Sequence, residues 1–203
     1  MMSISPLHKA ELRQQALDRR SALKDRAALP PVEFQGAGLV VSGYHAIGSE
    51  IDPLPLLSAL AHAGARLALP VLLDRETMVF RLWDRAKPLV PVGFGTLGPD
   101  ASHPEVVPQL VLAPLAAFSA TGQRIGYGKG HYDRYLSNMQ AAGHFPAFLG
   151  LAFDEQEVPP FAAEPHDIAL DGVLTPSGLR VFEHGRAALA PFLAGGAPAS
   201  EHP

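Results

Sequence analysis

The chain has 203 residues, is 47% hydrophobic and 18% charged, carries a formal net charge of −4 and contains no cysteine. That composition fits one globular domain over residues 1–193, and it excludes a disordered chain, disulfides, thiolate catalysis and Cys-ligated metal centres. A negative balance gives no basic field to draw in nucleic acid or an anionic membrane, so an anionic ligand has to be held by a local cluster of Lys and Arg in a pocket.

From Met1 the chain runs quickly into Lys9, Glu11, Arg13, Asp18 and Arg19, with no apolar stretch of the signal-peptide kind. No apolar run reaches the roughly 18 residues of a membrane span. A cytoplasmic protein is expected. Leu12, Ala16, Leu23 and Ala27 recur at helical spacing between Pro6 and Pro30, which predicts an amphipathic first helix. Gly38 to Tyr44 reads as a short strand, a polar loop runs on to Glu50, and a helix is expected from about Pro53 to His62. Arg66 to Leu72 and Met78 to Trp83 read as strands, whereas the Pro- and Gly-dense stretch from Pro88 to Pro108 predicts an extended, irregular segment. Gln109 to Pro114, Phe145 to Phe153 and Gly172 to Thr175 complete the strands, with a helix from about His131 to Ala142. Strands that are apolar nearly throughout and alternate with helices predict a three-layer α/β fold, a mostly parallel sheet covered on both faces. Residues 194–203 have little to bury and are expected to be a disordered tail.

The chemistry concentrates in Thr121 to Arg134, between a predicted strand and a predicted helix. Four glycines in that stretch (122, 126, 128 and 130) let backbone N–H groups approach a ligand. The helix behind them offers unpaired N–H groups and a positive dipole end, and Arg124 and Lys129 add full charges, so the loop can cradle phosphate. It departs from the Walker pattern, with Gln123 in place of the first Gly and Gly130 in place of the Ser or Thr after Lys129. A plain surface turn is the competing reading; the flanking cations and Tyr132-Asp133 weigh against it.

The run Arg124-Ile125-Gly126-Tyr127-Gly128-Lys129-Gly130-His131-Tyr132-Asp133-Arg134 resembles the signature of the 5-formyltetrahydrofolate cyclo-ligase family, also called methenyltetrahydrofolate synthetase. Lys9-x-x-x-Arg13, Tyr44 with Glu50, Leu69-Pro70-Val71, Met78-x-Phe80 and Glu164-Pro165-His166-Asp167 agree in order and spacing, so the resemblance covers about residues 7 to 178. It implies a sheet related to the NagB, RpiA and CoA-transferase folds. It also implies an ATP site formed by Lys9, Arg13 and the loop Arg124, Ile125, Gly126, Tyr127, Gly128, Lys129, Gly130, His131 and Tyr132, with Arg124 and Lys129 acting on the transferred phosphoryl group. The folate side is implied at Tyr44, His45 and Glu50 and overlaps Tyr127 to His131, and Mg²⁺ is implied at Asp133 and Asp167.

On residue type alone other roles stay open. Lys9 and Arg13 could be a solvated helix face, Glu50 an ordinary acid near a helix start, His45 a loop histidine, Asp133 the partner of a nearby Arg, and Asp167 a turn or cap residue. The chain also departs from the common family pattern at Ser119, Gly98 and His131.

The reaction the resemblance implies is ATP-dependent ring closure. The formyl oxygen attacks the γ-phosphorus and ADP leaves; the neighbouring folate nitrogen then attacks the activated carbon, phosphate departs, and the 5,10-methenyl ring closes. No protein nucleophile is needed. The partners expected are ATP, Mg²⁺ and 5-formyltetrahydrofolate, on a monomeric chain. A non-catalytic nucleotide-binding protein, or an isomerase or CoA-transferase on a related scaffold, are the alternatives.

Overall fold

The computed structural model describes residues 6–23, 27–93 and 95–193. The expected disordered tail, residues 194–203, lies outside the described residues. In chain order the elements are α1 (Pro6–Ala22), β1 (Val40–Ser42), α2 (Leu54–His62), β2 (Arg66–Leu72), β3 (Met78–Leu82), β4 (Val90–Pro91), β5 (Leu97–Gly98), β6 (Glu105–Val106), β7 (Leu110–Pro114), β8 (Ala117–Ser119) and β9 (Arg124–Ile125). They continue with α3 (His131–Ala141), β10 (Ala147–Leu151), β11 (Glu157–Val158), β12 (Gly172–Thr175), β13 (Gly178–Val181) and α4 (Arg186–Leu189).

Eight strands form the main sheet in the order β13-β12-β10-β7-β1-β2-β3-β6. The five central strands, β12 to β2 in that order, pair in parallel, and β13, β3 and β6 add antiparallel edges. The sequence pattern explains the layering. Side chains alternate across a strand, so neighbouring apolar residues need two cores. Val41, Leu110, Leu112, Ala147, Leu149 and Leu174 pack with Leu56, Leu57 and Leu60 of α2 and Leu189 of α4. Val40, Val111, Ala113, Phe148 and Val173 face the other way, onto Tyr135 and Leu136 of α3. Burying each large side chain of this kind stabilises the fold by about 1.5–3 kcal/mol. No described helix is long and apolar enough to cross a membrane.

A second, three-stranded sheet, β11-β8-β9, supports α1. Leu12 and Ala16 of α1 bury there against Ala117, Ile125, Val158 and Phe161. Here the structure departs from the sequence reading. The first helix ends at Ala22, Leu23 closes a tightened last turn on Arg20 O (3.4 Å), and Ala27 is exposed outside the helix. The 88–108 stretch, expected to be irregular, contains the β4–β5 pair and the edge strand β6. Gly172 to Thr175 is not the last strand, because a two-residue turn at Pro176 and Ser177 leads into β13.

Candidate functional site

β1, β7, β10 and β12 run the same way, so the loops that follow them gather at one edge of the sheet. After β1 the chain passes to α2 on one face; after β7 it passes to α3 on the other. The connections therefore diverge between two adjacent strands, and in open α/β sheets that switch point forms the crevice where ligands bind. The Tyr44–Glu50 loop enters it from β1 and the glycine loop from the β7 side.

The glycine loop is built for close approach. Gly128 and Gly130 sit at φ +83° and +65°, and Gly130 immediately precedes α3 with no side chain capping the first helical N–H groups. A Cβ on Gly130 would stand 3.0 Å from Arg134 Nη1. Lys129 is exposed beside them. Ile125 is fully buried under α1 and its carbonyl accepts from Ala116 N, so its side chain belongs to the core beneath the loop, not to the surface expected to meet ATP. His131 Nδ1 lies 3.1 Å from Arg134 Nη2. Burial, with the charges of Arg134 and Lys129, lowers the pKa of this imidazole below its usual 6.5. Tyr132 stacks on Phe148, with ring centroids 6.1 Å apart.

α1 is fastened across this loop. Lys9 Nζ donates to Asp167 Oδ2 at 2.6 Å and stands 3.8 Å from Glu164 Oε2, and Arg13 Nε donates to Gly126 O at 2.8 Å. Arg20, which the sequence reading passed over, is 5% exposed and donates to Tyr127 Oη (2.8 Å), Leu115 O (3.2 Å) and Ser49 Oγ (2.9 Å). A helix turns about 100° per residue, so positions 9, 13 and 20 fall within about 40° of one another. That stripe of cations was the signal available in the sequence.

Both aspartates already have partners. Arg124 Nη2 donates to Asp133 Oδ1 at 2.6 Å, with the two side chains only 7% and 12% exposed, and Ile168 N donates to the same oxygen at 3.0 Å. Asp133 is thus bonded to the residue after Asp167, which brings the two carboxylates into one neighbourhood. Asp167 Oδ2 accepts from Glu164 N (2.8 Å) as well as from Lys9. Burial pushes the Asp167 carboxyl up, but the Lys9 and Glu164 bonds and the charges of Lys9 and His166 prevail and hold it below its ordinary range. Glu164, His166 and Asp167 place ligand atoms within 4.8 Å of one another, with His166 Nε2 3.1 Å from Glu164 Oε2.

On the other side of the crevice Glu50 is buried, and Ile47 N donates to its Oε2 at 2.8 Å. Burial raises its pKa, opposed by the Tyr127 hydroxyl, the Ile47 N–H and the charges of Arg20 and His45. Tyr127 exposes a face of its ring while its hydroxyl sits between Arg20 and Glu50, and burial together with the Glu50 charge pushes that hydroxyl well up. His45 Nδ1 is buried without a hydrogen-bond partner among the described residues. Tyr44 is 3% exposed and donates to Ile51 O (2.8 Å), so it stands behind the crevice and not on its wall. A cavity of about 420 Å³ lined by Arg66, Trp83 and Lys87 among others lies at the opposite edge of the sheet, away from these groups. Charge and backbone geometry, not concavity, locate the site.

Fold and glycine loop together define an α/β protein with a mostly parallel sheet and a cationic glycine-rich loop at its switch point. The profile of the 5-formyltetrahydrofolate cyclo-ligase family matches residues 7–176. The 5-formyltetrahydrofolate cyclo-ligase of Mycolicibacterium smegmatis is 32% identical over 192 residues, spanning 85% of this chain and 96% of its own length. That of Escherichia coli K12 is 32% identical over 181 residues, spanning 86% and 93%. The NMR structure of Aquifex aeolicus 5,10-methenyltetrahydrofolate synthetase shares the fold, with a TM-score of 0.68 at 23% identity over 96% of this chain and 99% of that one. The chain belongs to the 5-formyltetrahydrofolate cyclo-ligase family.

Proposed function

We propose that this protein cyclises 5-formyltetrahydrofolate to 5,10-methenyltetrahydrofolate with ATP and Mg²⁺, releasing ADP and phosphate, as a cytoplasmic monomer. The observation that carries the reading is the convergence of Lys9, Arg13 and Arg124 with the Gly126–Gly130 loop and the Asp133 and Asp167 carboxylates at one crevice. In such a site most of the catalysis comes from position and electrostatics: ordered backbone N–H groups and cations neutralise charge that develops on the phosphoryl oxygens. Lys129 and Arg124 serve that role. Tyr127 and Glu50 orient the formyl-bearing ring, with His45 beside them.

The carboxylates suit Mg²⁺, which takes hard oxygen ligands, commonly one or two carboxylates with phosphate oxygens and water. The bonds described fall on Oδ1 of Asp133 and Oδ2 of Asp167, so one oxygen of each stands outside them. These two residues would hold the ion, which supplies charge neutralisation at the phosphates. Strand order and the paired layers also favour kinship with the NagB, RpiA and CoA-transferase sheets. The test is direct. Protein, ATP, Mg²⁺ and 5-formyltetrahydrofolate are mixed and the methenyl chromophore is followed together with ADP; a chromophore that forms without ATP, or ADP release indifferent to the folate, rejects the proposal.

A further inference from the structure

Arg20 is a cation withdrawn from water with no carboxylate in direct contact among the described residues. Its partners are neutral acceptors: Ser49 Oγ, Leu115 O and Tyr127 Oη, with its guanidinium carbon 5.8 Å from the centroid of the Tyr127 ring. A desolvated guanidinium is expensive to keep unless its surroundings hold it, and a helix-anchoring role alone would need only the Leu115 carbonyl. The two side-chain bonds lead elsewhere. Tyr127 belongs to the glycine loop read as holding the nucleotide, although its own ring is read as meeting the folate; Ser49 is the neighbour of Glu50, on the folate side. We propose that Arg20 is a positioning residue that couples the two halves of the site, so that nucleotide bound on the glycine loop raises affinity for 5-formyltetrahydrofolate through Tyr127, Arg20, Ser49 and Glu50.

The chemistry of the side chain fits the task. Nε reaches Ser49 and Nη1 reaches Tyr127 from one rigid plane, so movement of the glycine loop is passed to the Ser49–Glu50 backbone by the fork itself. Lysine keeps the charge but not the two fixed directions. Two loops held by one planar group share a conformational equilibrium, and a ligand that orders one loop relieves the other ligand of part of that ordering. The charge matters as well. Glu50 is faced by Tyr44, His45, Arg20, Tyr127 and Tyr132; burial pushes its carboxyl up, and Arg20 and His45 hold it down.

The inference rests on the cyclo-ligase reading, and the experiment separates the two. Affinity for 5-formyltetrahydrofolate is measured by calorimetry with and without Mg²⁺ and a non-hydrolysable ATP analogue. The proteins are wild type, Ser49→Ala, Tyr127→Phe, the double variant, Arg20→Lys and Arg20→Gln, each checked for wild-type circular dichroism. Wild type should bind the folate about fivefold or more tightly when the analogue is present. Ser49 is assigned to neither ligand, yet Ser49→Ala should lower that ratio by half or more; Tyr127→Phe also removes the direct Tyr127–Glu50 bond, so the double variant should bring the ratio close to one. Arg20→Gln should also move the acid limb of the kcat/KM profile for the folate to higher pH, and Arg20→Lys should restore that limb but not the ratio. A wild-type protein that forms no methenyl product rejects the cyclo-ligase reading. Wild type that cyclises but shows a ratio of one, or Ser49→Ala and Arg20→Lys with the full wild-type ratio, overturns the coupling role alone.

Discussion

Asp133→Ala should destabilise this protein far more than Asp167→Ala, although both carboxylates are proposed to serve the same ion. The Arg124–Asp133 pair is nearly closed off from solvent, and the guanidinium lies 5.0 Å from the centroid of Phe148. Arg124 Nε is already buried without a hydrogen-bond partner among the described residues, so losing the bond at Nη2 would add to the deficit of a guanidinium that is already short of acceptors. Removing one member of a buried pair strands the other, at a cost of about 3–5 kcal/mol. In a chain of this size each kcal/mol shifts Tm by about 2–4 °C, so Asp133→Ala should lower Tm by about 6–20 °C. Lys9 differs: a long flexible chain at the edge of the site can carry its ammonium into water, and Asp167→Ala should cost only about 1–2 kcal/mol. Thermal and urea unfolding of both variants gives the comparison. Replacing the buried pair with apolar groups, as Arg124→Met with Asp133→Leu, should restore much of the stability but none of the turnover. Equal losses for the two alanine variants, or Asp133→Ala within about 1 kcal/mol of wild type, would refute the reasoning.

Lys129→Ala should reduce kcat by about 10²-fold or more while leaving Tm unchanged, since the residue is exposed and the loop adds little to the core; steady-state kinetics and a melting curve check both parts. Glu50→Gln should raise KM for 5-formyltetrahydrofolate by about tenfold and leave nucleotide affinity within about twofold, as titration of each ligand will show. The same variant carries a pH signature: a carboxyl whose folded pKa lies above its unfolded value near 4.5 favours folding most below that value and loses the contribution as pH rises through the folded pKa. Glu50→Gln should therefore melt higher than wild type at neutral pH, with the gap closing in acid. Gly130→Ala should destabilise by about 1–2 kcal/mol and raise KM for ATP, because φ is +65° and the new methyl meets Arg134; an unchanged melting curve would contradict this.

Much of this was legible in the sequence, for reasons that mark where the legibility ends. β7 and β10 read as strands because each is buried on both faces, which forces an unbroken apolar run that no surface strand needs. α3 announced itself by the glycine in front of it. The small sheet under α1 did not: β8, β9 and β11 are two or three residues long, too short for any period to show. β13 was missed for a similar reason, as three half-buried residues and an exposed Arg180 after a turn. In the site, the glycine loop and its cations were visible because they are consecutive. The Lys9–Asp167 bond joins residues 158 apart in the chain, and the Arg20–Tyr127 bond residues 107 apart, so only the fold could reveal them. Asp133 shows the limit of naming one role per residue. Pairing with an arginine was open from the sequence, metal binding followed from the resemblance, and the observed bond to Arg124 leaves an oxygen for the second role.

The charges of the proposed nucleotide site add one more argument. Lys9, Arg13, Arg124 and Lys129 contribute four positive charges and Asp133 and Asp167 two negative ones, so the cluster has a formal excess of two positive charges in a chain whose net charge is −4. Arg20 and Glu50 carry opposite charges on the far side of the crevice, and burial with the charges of Arg134 and Lys129 disfavours the charged form of His131. A nucleoside triphosphate complexed with magnesium carries roughly two negative charges, which matches the excess. Without ligand, the cations do not stand bare: Lys9 and Arg124 rest on the carboxylates. On the proposed reading the remaining oxygens of Asp133 and Asp167 would hold the metal while the cations, still resting on the carboxylates, would face the phosphates. Such a site would favour the metal-bound nucleotide over the free one, because the phosphates of free ATP would meet two carboxylates with no cation between them.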